Sequence, residues 1–248
     1  MHINRIFLKL IIDIGNTYSK VAIFDRKELV NKTIIKDITL SKVKSFILEQ
    51  TIQSTIISSV VKQKNEHIEI IKFYDAILLD TSLDLPIKLK YKNPKTLGCD
   101  RIASLVAAFN IFPNQDVLIF DLGTCLTVDI LDKNGTHLGG KISPGIHMRF
   151  NSLHHFTSHL PNIKISDKTP NLGVDTETSI ISGVQQGLLD EIKSTIHFYL
   201  KENPKINVVI TGGDSFFLQR ELKNSIFVDQ FFVLKGLNEI LDYNESIK

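Results

Sequence analysis

The sequence predicts an α/β protein built as two similar halves, and three observations carry that reading. Strand and helix signals alternate along the chain. A hydrophobic strand ending in Asp-x-Gly occurs twice, at Asp13-Ile14-Gly15 and at Asp121-Leu122-Gly123. Each copy runs on into a second strand, an Asp-containing turn and a third strand, so DIGNTYSKVAIFDRKEL lines up with DLGTCLTVDILDKNGTHL. A unit repeated at this separation within 248 residues implies two domains, 1–114 and 115–248, divided at the Pro113-Asn114 break.

The elements follow in order. Residues 7–14 are apolar except for Lys9 and Asp13 and read as the first strand. The run is too short to span a bilayer and lacks a signal-peptide cleavage pattern. Strands at 20–25 and 29–36 come next, joined at Arg26-Lys27 by a tight turn. A helix over 41–50 takes Ser41 as its cap. A strand at 54–58, a polar helix over 62–72 and a short strand at 76–79 follow. Residues 101–112 are apolar almost all round, which predicts a buried helix.

Beyond Pro113, strands are predicted at 116–121, 124–131 and 137–142, with a Lys133-Asn134-Gly135 turn between the last two. The chain turns helical after Pro144-Gly145, and one long helix is predicted over 175–200. A strand at 206–210, the turn Thr211-Gly212-Gly213-Asp214, a strand at 226–231 and a helix over 235–242 complete the chain.

Composition narrows the function classes. With 43% hydrophobic and 23% charged residues the chain is an ordinary globular protein. Its net charge of +2 arises from 29 basic and 27 acidic side chains interspersed without a basic block, which argues against a nucleic-acid surface. Two cysteines, Cys99 and Cys125, give no disulfide framework and suit a reduced, cytoplasmic setting without membrane association.

The paired turns carry the chemistry. A bare glycine lets backbone N–H groups approach an anion, Asn16 and Thr17 add donors, and Lys20 adds charge. Asp13 would repel phosphate directly, so it makes sense there with a cation between them. The turn Asp121-Leu-Gly-Thr124 offers the same groups, and two such turns closing on one cleft would hold a nucleoside triphosphate with Mg²⁺. Taken singly, each is also an ordinary turn in which Asp caps and Gly supplies a positive φ. Neither G-x-x-x-x-G-K-[ST] nor G-x-G-x-x-G is present.

A third feature is Tyr91-Lys-Asn-Pro-Lys-Thr-Leu-Gly98-Cys99-Asp100-Arg101, a loop that delivers Asp100 and Arg101 to the start of the buried helix. Asp100 suits acceptance of a proton from an attacking hydroxyl, and Arg101 suits bidentate pairing with a carboxylate. The bland alternative is an N-capping Asp beside a surface Arg. His154, His155 and His159 lack supporting acidic or cysteine ligands and read as helix-surface residues. Phe198, Phe216, Phe217, Phe231 and Phe232 read as core or dimer contacts.

With these motifs in order, the chain resembles the type III pantothenate kinases of the acetate kinase, sugar kinase, heat-shock chaperone and actin superfamily. The matching segments are Asp13 to Lys20, Gly98 to Arg101, Asp121 to Asp129, Gly139 to Gly145 and Gly173 to Thr176, the last followed by Gly183. Cys125 stands where Ala is usual, and Val174-Asp175 where many members have a basic residue and Asn.

The resemblance implies two actin/ribonuclease H-like domains flanking an ATP cleft. It implies that Asp13, Ile14, Gly15, Asn16, Thr17, Tyr18, Ser19 and Lys20 form the ATP phosphate loop, with Asp13 near Mg²⁺, and that Thr124 contacts ATP. Asp100 would be the catalytic base. Tyr91, Gly98, Cys99, Asp100 and Arg101 would line the pantothenate site, completed by Thr176 from the neighbouring subunit of a homodimer. Asp121 would bind an activating monovalent cation, K⁺ or NH₄⁺. The implied reaction is ATP-dependent formation of 4′-phosphopantothenate, the first step of coenzyme A synthesis. The alternatives are a non-catalytic regulatory accessory factor of the same sequence type, or a superfamily member acting on a sugar or acetate.

Overall fold

The structure, a computed structural model, describes residues 7–80, 82–215 and 226–247. Phe216 and Phe217, and the N-terminal extension to which the sequence assigns no role, lie outside these residues. The chain forms two compact units. The first comprises residues 1–113, 135–138 and 231–248, and the second 114–134 and 139–230. The sequence boundary placed everything after 114 in the second domain. Residues 135–138 and the last helix instead belong to the first.

The described elements of the first half are β1 (Leu8–Ile14), β2 (Ser19–Asp25), β3 (Glu28–Ile35), α1 (Leu40–Ile47), β4 (Ile52–Ser59), α2 (Asn65–Phe73), β5 (Ile77–Leu78), β6 (Lys88–Leu89) and α3 (Cys99–Ile111). Then come β7 (Val117–Leu122), β8 (Cys125–Leu131), β9 (Thr136–Pro144), α4 (Ile146–His155), α5 (Thr176–Ile181), α6 (Gly187–Glu202), β10 (Asn207–Thr211), β11 (Ile226–Val228) and α7 (Phe232–Ser246). No described helix is long and apolar enough to cross a membrane.

The two units repeat one sheet. The first has the order β3-β2-β1-β4-β5, and the second β9-β8-β7-β10-β11. In each, the first strand pairs antiparallel with the next and parallel with a later strand: β1 with β2 and β4, β7 with β8 and β10. The repeat read from the Asp-x-Gly turns is therefore a repeat of topology. β6 pairs with Thr136 and His137, within the first unit.

Burial explains the patterns. Every residue of β1 is buried, as expected for a strand covered on both faces, and β3 is exposed along most of its length. The second unit has its own core, in which Phe120, Leu126, Phe150 and Leu188 are buried together.

Several local expectations shift. The cap of α1 is Thr39, whose Oγ1 accepts from Lys42 N at 3.4 Å; Ser41 falls inside the first turn. The helix predicted over 62–72 begins only at Asn65. The helix predicted over 101–112 begins at Cys99, because Gly98 is its extended N-cap. The long helix predicted over 175–200 is interrupted by a π-helical turn, Ser182–Gln186, which contains Gly183 and is followed by Gly187, both poor helix formers. The strand predicted to reach 231 ends at Val228, and the final helix is longer than 235–242 at both ends.

The final helix packs on α3. A Cβ added at Gly236 would stand 1.8 Å from the Ala103 carbonyl oxygen, so only glycine permits this approach. The same helix resolves the oddity of Lys9. Its side chain is 1% exposed, and Nζ lies 2.6 Å from Asp242 Oδ1 on α7. Asp242→Ala should destabilise the protein by about 3 kcal/mol by leaving a buried ammonium unpaired, the low end of the range because Asp242 is itself one-third exposed. The double replacement Lys9→Met, Asp242→Leu should cost clearly less than Asp242→Ala alone in urea unfolding.

Candidate functional site

In the first unit the site begins at the C-terminal end of β1. Asp13 is opposite Lys20 across the β1–β2 hairpin and beside Ser58 on parallel β4. The Ser58 hydroxyl donates to Asp13 Oδ1 at 2.6 Å. Burial pushes the Asp13 carboxyl above the ordinary carboxylate range, with the Ser58 hydrogen bond and the Lys20 charge pulling the other way. Ile14 ends the strand, buried. Gly15, Asn16, Thr17 and Tyr18 form the turn, the last three exposed; Ser19 is buried and Lys20 half-buried. Gly15 N donates to Tyr18 O at 3.2 Å. The glycine serves close approach rather than a positive φ: a Cβ there would sit 2.8 Å from that oxygen.

The second cluster of predicted residues lies in the same unit. Gly98 caps α3, Cys99 and Asp100 form its first turn, and Asp100 Oδ1 accepts from Arg101 N at 2.8 Å. Asp100 is therefore not the N-cap, and Arg101 is not a surface residue: it is buried, with Cζ 5.9 Å from the Tyr91 ring centre. Tyr91 stacks in turn on buried His137, with ring centres 5.9 Å apart and planes 22° apart. Burial pushes the Cys99 thiol up, and Asp100, Asp80 and Asp13 add to it, against a backbone hydrogen bond with Ser59. Cys99 thus stays a thiol, with Sγ donating to Leu79 O at 3.1 Å, and makes a poor nucleophile. Its surroundings also put Asp13 and Asp100 in one electrostatic neighbourhood.

The second unit repeats the first geometry. Asp121 is opposite Thr127 on β8 and beside Thr211 on parallel β10, the positions of Lys20 and Ser58 in the first unit. The turn is one residue shorter, running from Gly123 to Cys125 where the first runs from Gly15 to Tyr18. Two backbone segments clasp it. Gly145 N donates to Thr124 O at 3.2 Å, and Asp214 N to Leu122 O at 3.0 Å. A Cβ at Gly145 would fall 2.3 Å from Gly123 O, and one at Gly212 would fall 2.2 Å from Leu122 O and 2.5 Å from Asp121 Oδ1. At Gly123 itself nothing lies closer than 3.8 Å to such a Cβ, so its bare backbone is not demanded by protein packing and suits an approaching ligand.

Asp214 also faces His147, whose Nε2 is 3.4 Å from its Oδ1; burial pushes the Asp214 carboxyl up, and His147 opposes this. Thr176 lines a different feature of this unit, an open groove of about 680 Å³ shared with Leu153, Val174 and Ile180. His154 and His155 are exposed in the last turn of α4.

Gly145 closes one of the segments that carry the family resemblance, whereas Ser58 and the His147–Asp214 pair were given no role by the sequence, and Gly212 was read only as part of a turn. The segments Pro144-Gly145 and Thr211 to Asp214 read as a helix start and a turn. The correspondence of Thr211 with Ser58 comes from the strand registers rather than from the repeated segment.

A profile of the type III pantothenate kinase family matches residues 9–197. A type III pantothenate kinase of Bacteroides fragilis strain YCH46 is 41% identical over 242 residues, which cover 96% of this chain and 99% of that protein. Among solved structures, a conserved Campylobacter jejuni protein assigned to the Baf family of transcriptional activators is similar with a TM-score of 0.64 and 25% identity, covering 96% of this chain and 99% of its own. An activator of 2-hydroxyisocaproyl-CoA dehydratase from Clostridium difficile, solved with bound ADPNP, shares the fold with a TM-score of 0.55 at 15% identity, covering 98% of each chain.

The raised Asp13 carboxyl has a measurable consequence. The folded state holds this proton more tightly than the unfolded chain, so stability falls as pH rises from about 3.9 through the raised value and stays reduced at neutral pH. Asp13→Asn keeps an oxygen for Ser58 without the charge. It should raise the thermal midpoint at neutral pH, with the gain shrinking to nothing as pH approaches the ordinary carboxylate range.

Proposed function

The chain belongs to the type III pantothenate kinase family, and we propose the roles of its residues in ATP-dependent phosphorylation of pantothenate, which gives 4′-phosphopantothenate and ADP. The observation that carries the assignment is Asp100 in the first turn of α3, beside buried Arg101 and in the same unit as Asp13.

The turn from Asp13 to Lys20 binds the ATP phosphates through its backbone and the Asn16 and Thr17 side chains. Asp13 fits a divalent ion: it is buried, and Ser58 and Lys20 compensate its charge only in part. No group of three acidic, histidine or cysteine ligands forms among the described residues, which suits Mg²⁺ held by a carboxylate together with phosphate oxygens. When bound, that ion neutralises charge on the transferring phosphoryl group. Thr124 contacts ATP from the second Asp-Gly turn.

Asp100 orients the primary alcohol of pantothenate and accepts its proton. Tyr91, Gly98, Cys99 and Arg101 line the acceptor site, where half-buried Tyr91 stacks on buried His137 and stands 5.9 Å from the buried Arg101 guanidinium. Asp121 holds the monovalent cation. Supporting this, Thr211 lies beside it in the sheet, fully buried, with a hydroxyl that has no hydrogen-bond partner among the described residues.

Thr176 completes the acceptor site of the neighbouring subunit in a homodimer. Phe156, Leu172 and Val174, 81–93% exposed, supply apolar surface of the kind that marks protein contacts. The free cysteines Cys99 and Cys125 suit a cytoplasmic setting.

The structural likeness to a Baf-family protein favours a second reading, a non-catalytic accessory factor. Retention of Asp13, Asp100 and Asp121 counts against it. Coupled measurement of ADP formation with pantothenate, Mg²⁺ and K⁺ separates the two; no turnover above background sinks the kinase reading. Asp100→Asn should lower kcat by about 10²–10⁴-fold, the usual contribution of a positioned base, and full retained turnover would remove Asp100 from that role. Replacing K⁺ by Na⁺ should depress the rate markedly in the same assay, and equal rates would remove the cation from Asp121.

A further inference from the structure

Residues 156–175, between α4 and α5, contain no helix or strand, yet their backbone is held in place. Such a segment needs partners for its polar groups. Here three side chains of the helical stretch that follows it, Thr178, Ser182 and Gln185, supply them, and their spacing of four and three residues is that of one helix face.

Gln185 is fully buried within the π-helical turn. Its Oε1 accepts from Ser166 N at 2.7 Å, and its Nε2 donates to Ser166 O at 3.1 Å and to Thr169 Oγ1 at 2.6 Å. Ser182 Oγ donates to Asn171 O at 3.1 Å. Thr178 Oγ1 accepts from Val174 N at 3.0 Å and Asp175 N at 3.2 Å, while Asp175 Oδ1 accepts from Thr178 N at 2.8 Å. As the chain advances from 166 to 175, its partners step back from 185 through 182 to 178. The segment therefore runs antiparallel to the helix, fastened at three points, and ends at Thr176.

We infer that Gln185 is a positioning residue for the acceptor site, the far anchor of a polar row that sets where Thr176 stands. This rests on the reading that Thr176 contacts pantothenate. Gln185 is the strongest of the three fastenings, because its two amide atoms satisfy both backbone groups of Ser166 and it is removed from water. Loosening it frees the segment at its distant end and lets Thr176 drift, while the Asp13 and Asp121 turns keep their own hydrogen bonds. The effect falls on one substrate.

The experiment compares Gln185→Met, which keeps volume but removes the hydrogen bonds, with Ser182→Ala and Thr176→Val in the full chain. Amide hydrogen exchange is followed at Ser166, Val174 and Asp175, together with kcat and both KM values. For Gln185→Met, exchange at these amides should accelerate at least tenfold, roughly, and KM for pantothenate should rise about fivefold or more, with KM for ATP unchanged. Ser182→Ala should shift the same two readouts less, and it carries the test if Gln185→Met fails to fold. Faster exchange with an unchanged pantothenate KM would overturn the positioning role, as would equal losses toward both substrates. If Thr176→Val leaves the pantothenate KM unchanged, the substrate reading of Thr176 falls instead. If Thr176→Val raises it and Gln185→Met does not, only the inference about Gln185 falls.

Discussion

The first unit depends on how one strand carries two buried charges. Lys9 and Asp13 lie four residues apart on β1, on the same side of the pleat, in a strand otherwise made of Leu and Ile. Lys9 is neutralised by a carboxylate 2.6 Å away. Asp13 receives a hydroxyl and the partial effect of Lys20, and its carboxyl remains pushed up by burial. The first charge is a fastening, which ties the central strand to the C-terminal helix. The second is a charge left under-compensated at the edge of the core, where a cation would relieve it. A structural ion pair and the proposed metal handle thus differ in what the fold provides opposite them, though both look alike as charged residues within an apolar run.

Duplication gives the second unit the same frame with different finish. The hairpin registers put Asp121 where Asp13 stands and Thr211 where Ser58 stands. In the first unit the hydroxyl is spent on the aspartate. In the second, the shorter turn is instead gripped by the backbones of Gly145 and Gly212, so close that any side chain at either position would collide with it. Equal topology thus comes with unequal fastening: the frame fixes where each turn stands in its own unit, and the contacts that hold it differ.

The repeat, the central strands and the acidic turns were legible in the sequence because each rests on local pattern: a continuous apolar run, a glycine after an aspartate, a turn between two strands. What escaped it depends on contacts between distant residues. Nothing near Lys9 announces Asp242, and nothing near Gly236 announces the Ala103 carbonyl, so the return of α7 to the first unit could not be read. The start of α3 was misplaced by two residues for a related reason. Apolar periodicity begins at Arg101, whereas the helix begins at the extended glycine before it, which turns Asp100 from a cap into a first-turn residue. The interruption near Gln185 left only a weak trace, two glycines within a helical pattern.

Fold alone does not decide the chemistry, since the same two-sheet frame is shared with proteins of very different description. The stretch from Ser82 to Gly98 has little regular structure of its own beyond β6 and a short 3₁₀ turn at Pro94–Thr96. It is held by packing rather than by a ladder: Cys99 bonds the Leu79 carbonyl, Tyr91 stacks on His137 and has the Arg101 guanidinium 5.9 Å from its ring centre, and Gly98 starts α3. A carboxylate that must orient an alcohol needs such support, because a misplacement of about 1 Å is enough to cost most of the rate. Burial above all, with Asp100, Asp80 and Asp13 adding to it, pushes the Cys99 thiol up, which makes it a poor nucleophile. In the reaction proposed above, Asp100 is the group of this loop that would accept the proton of a bound hydroxyl.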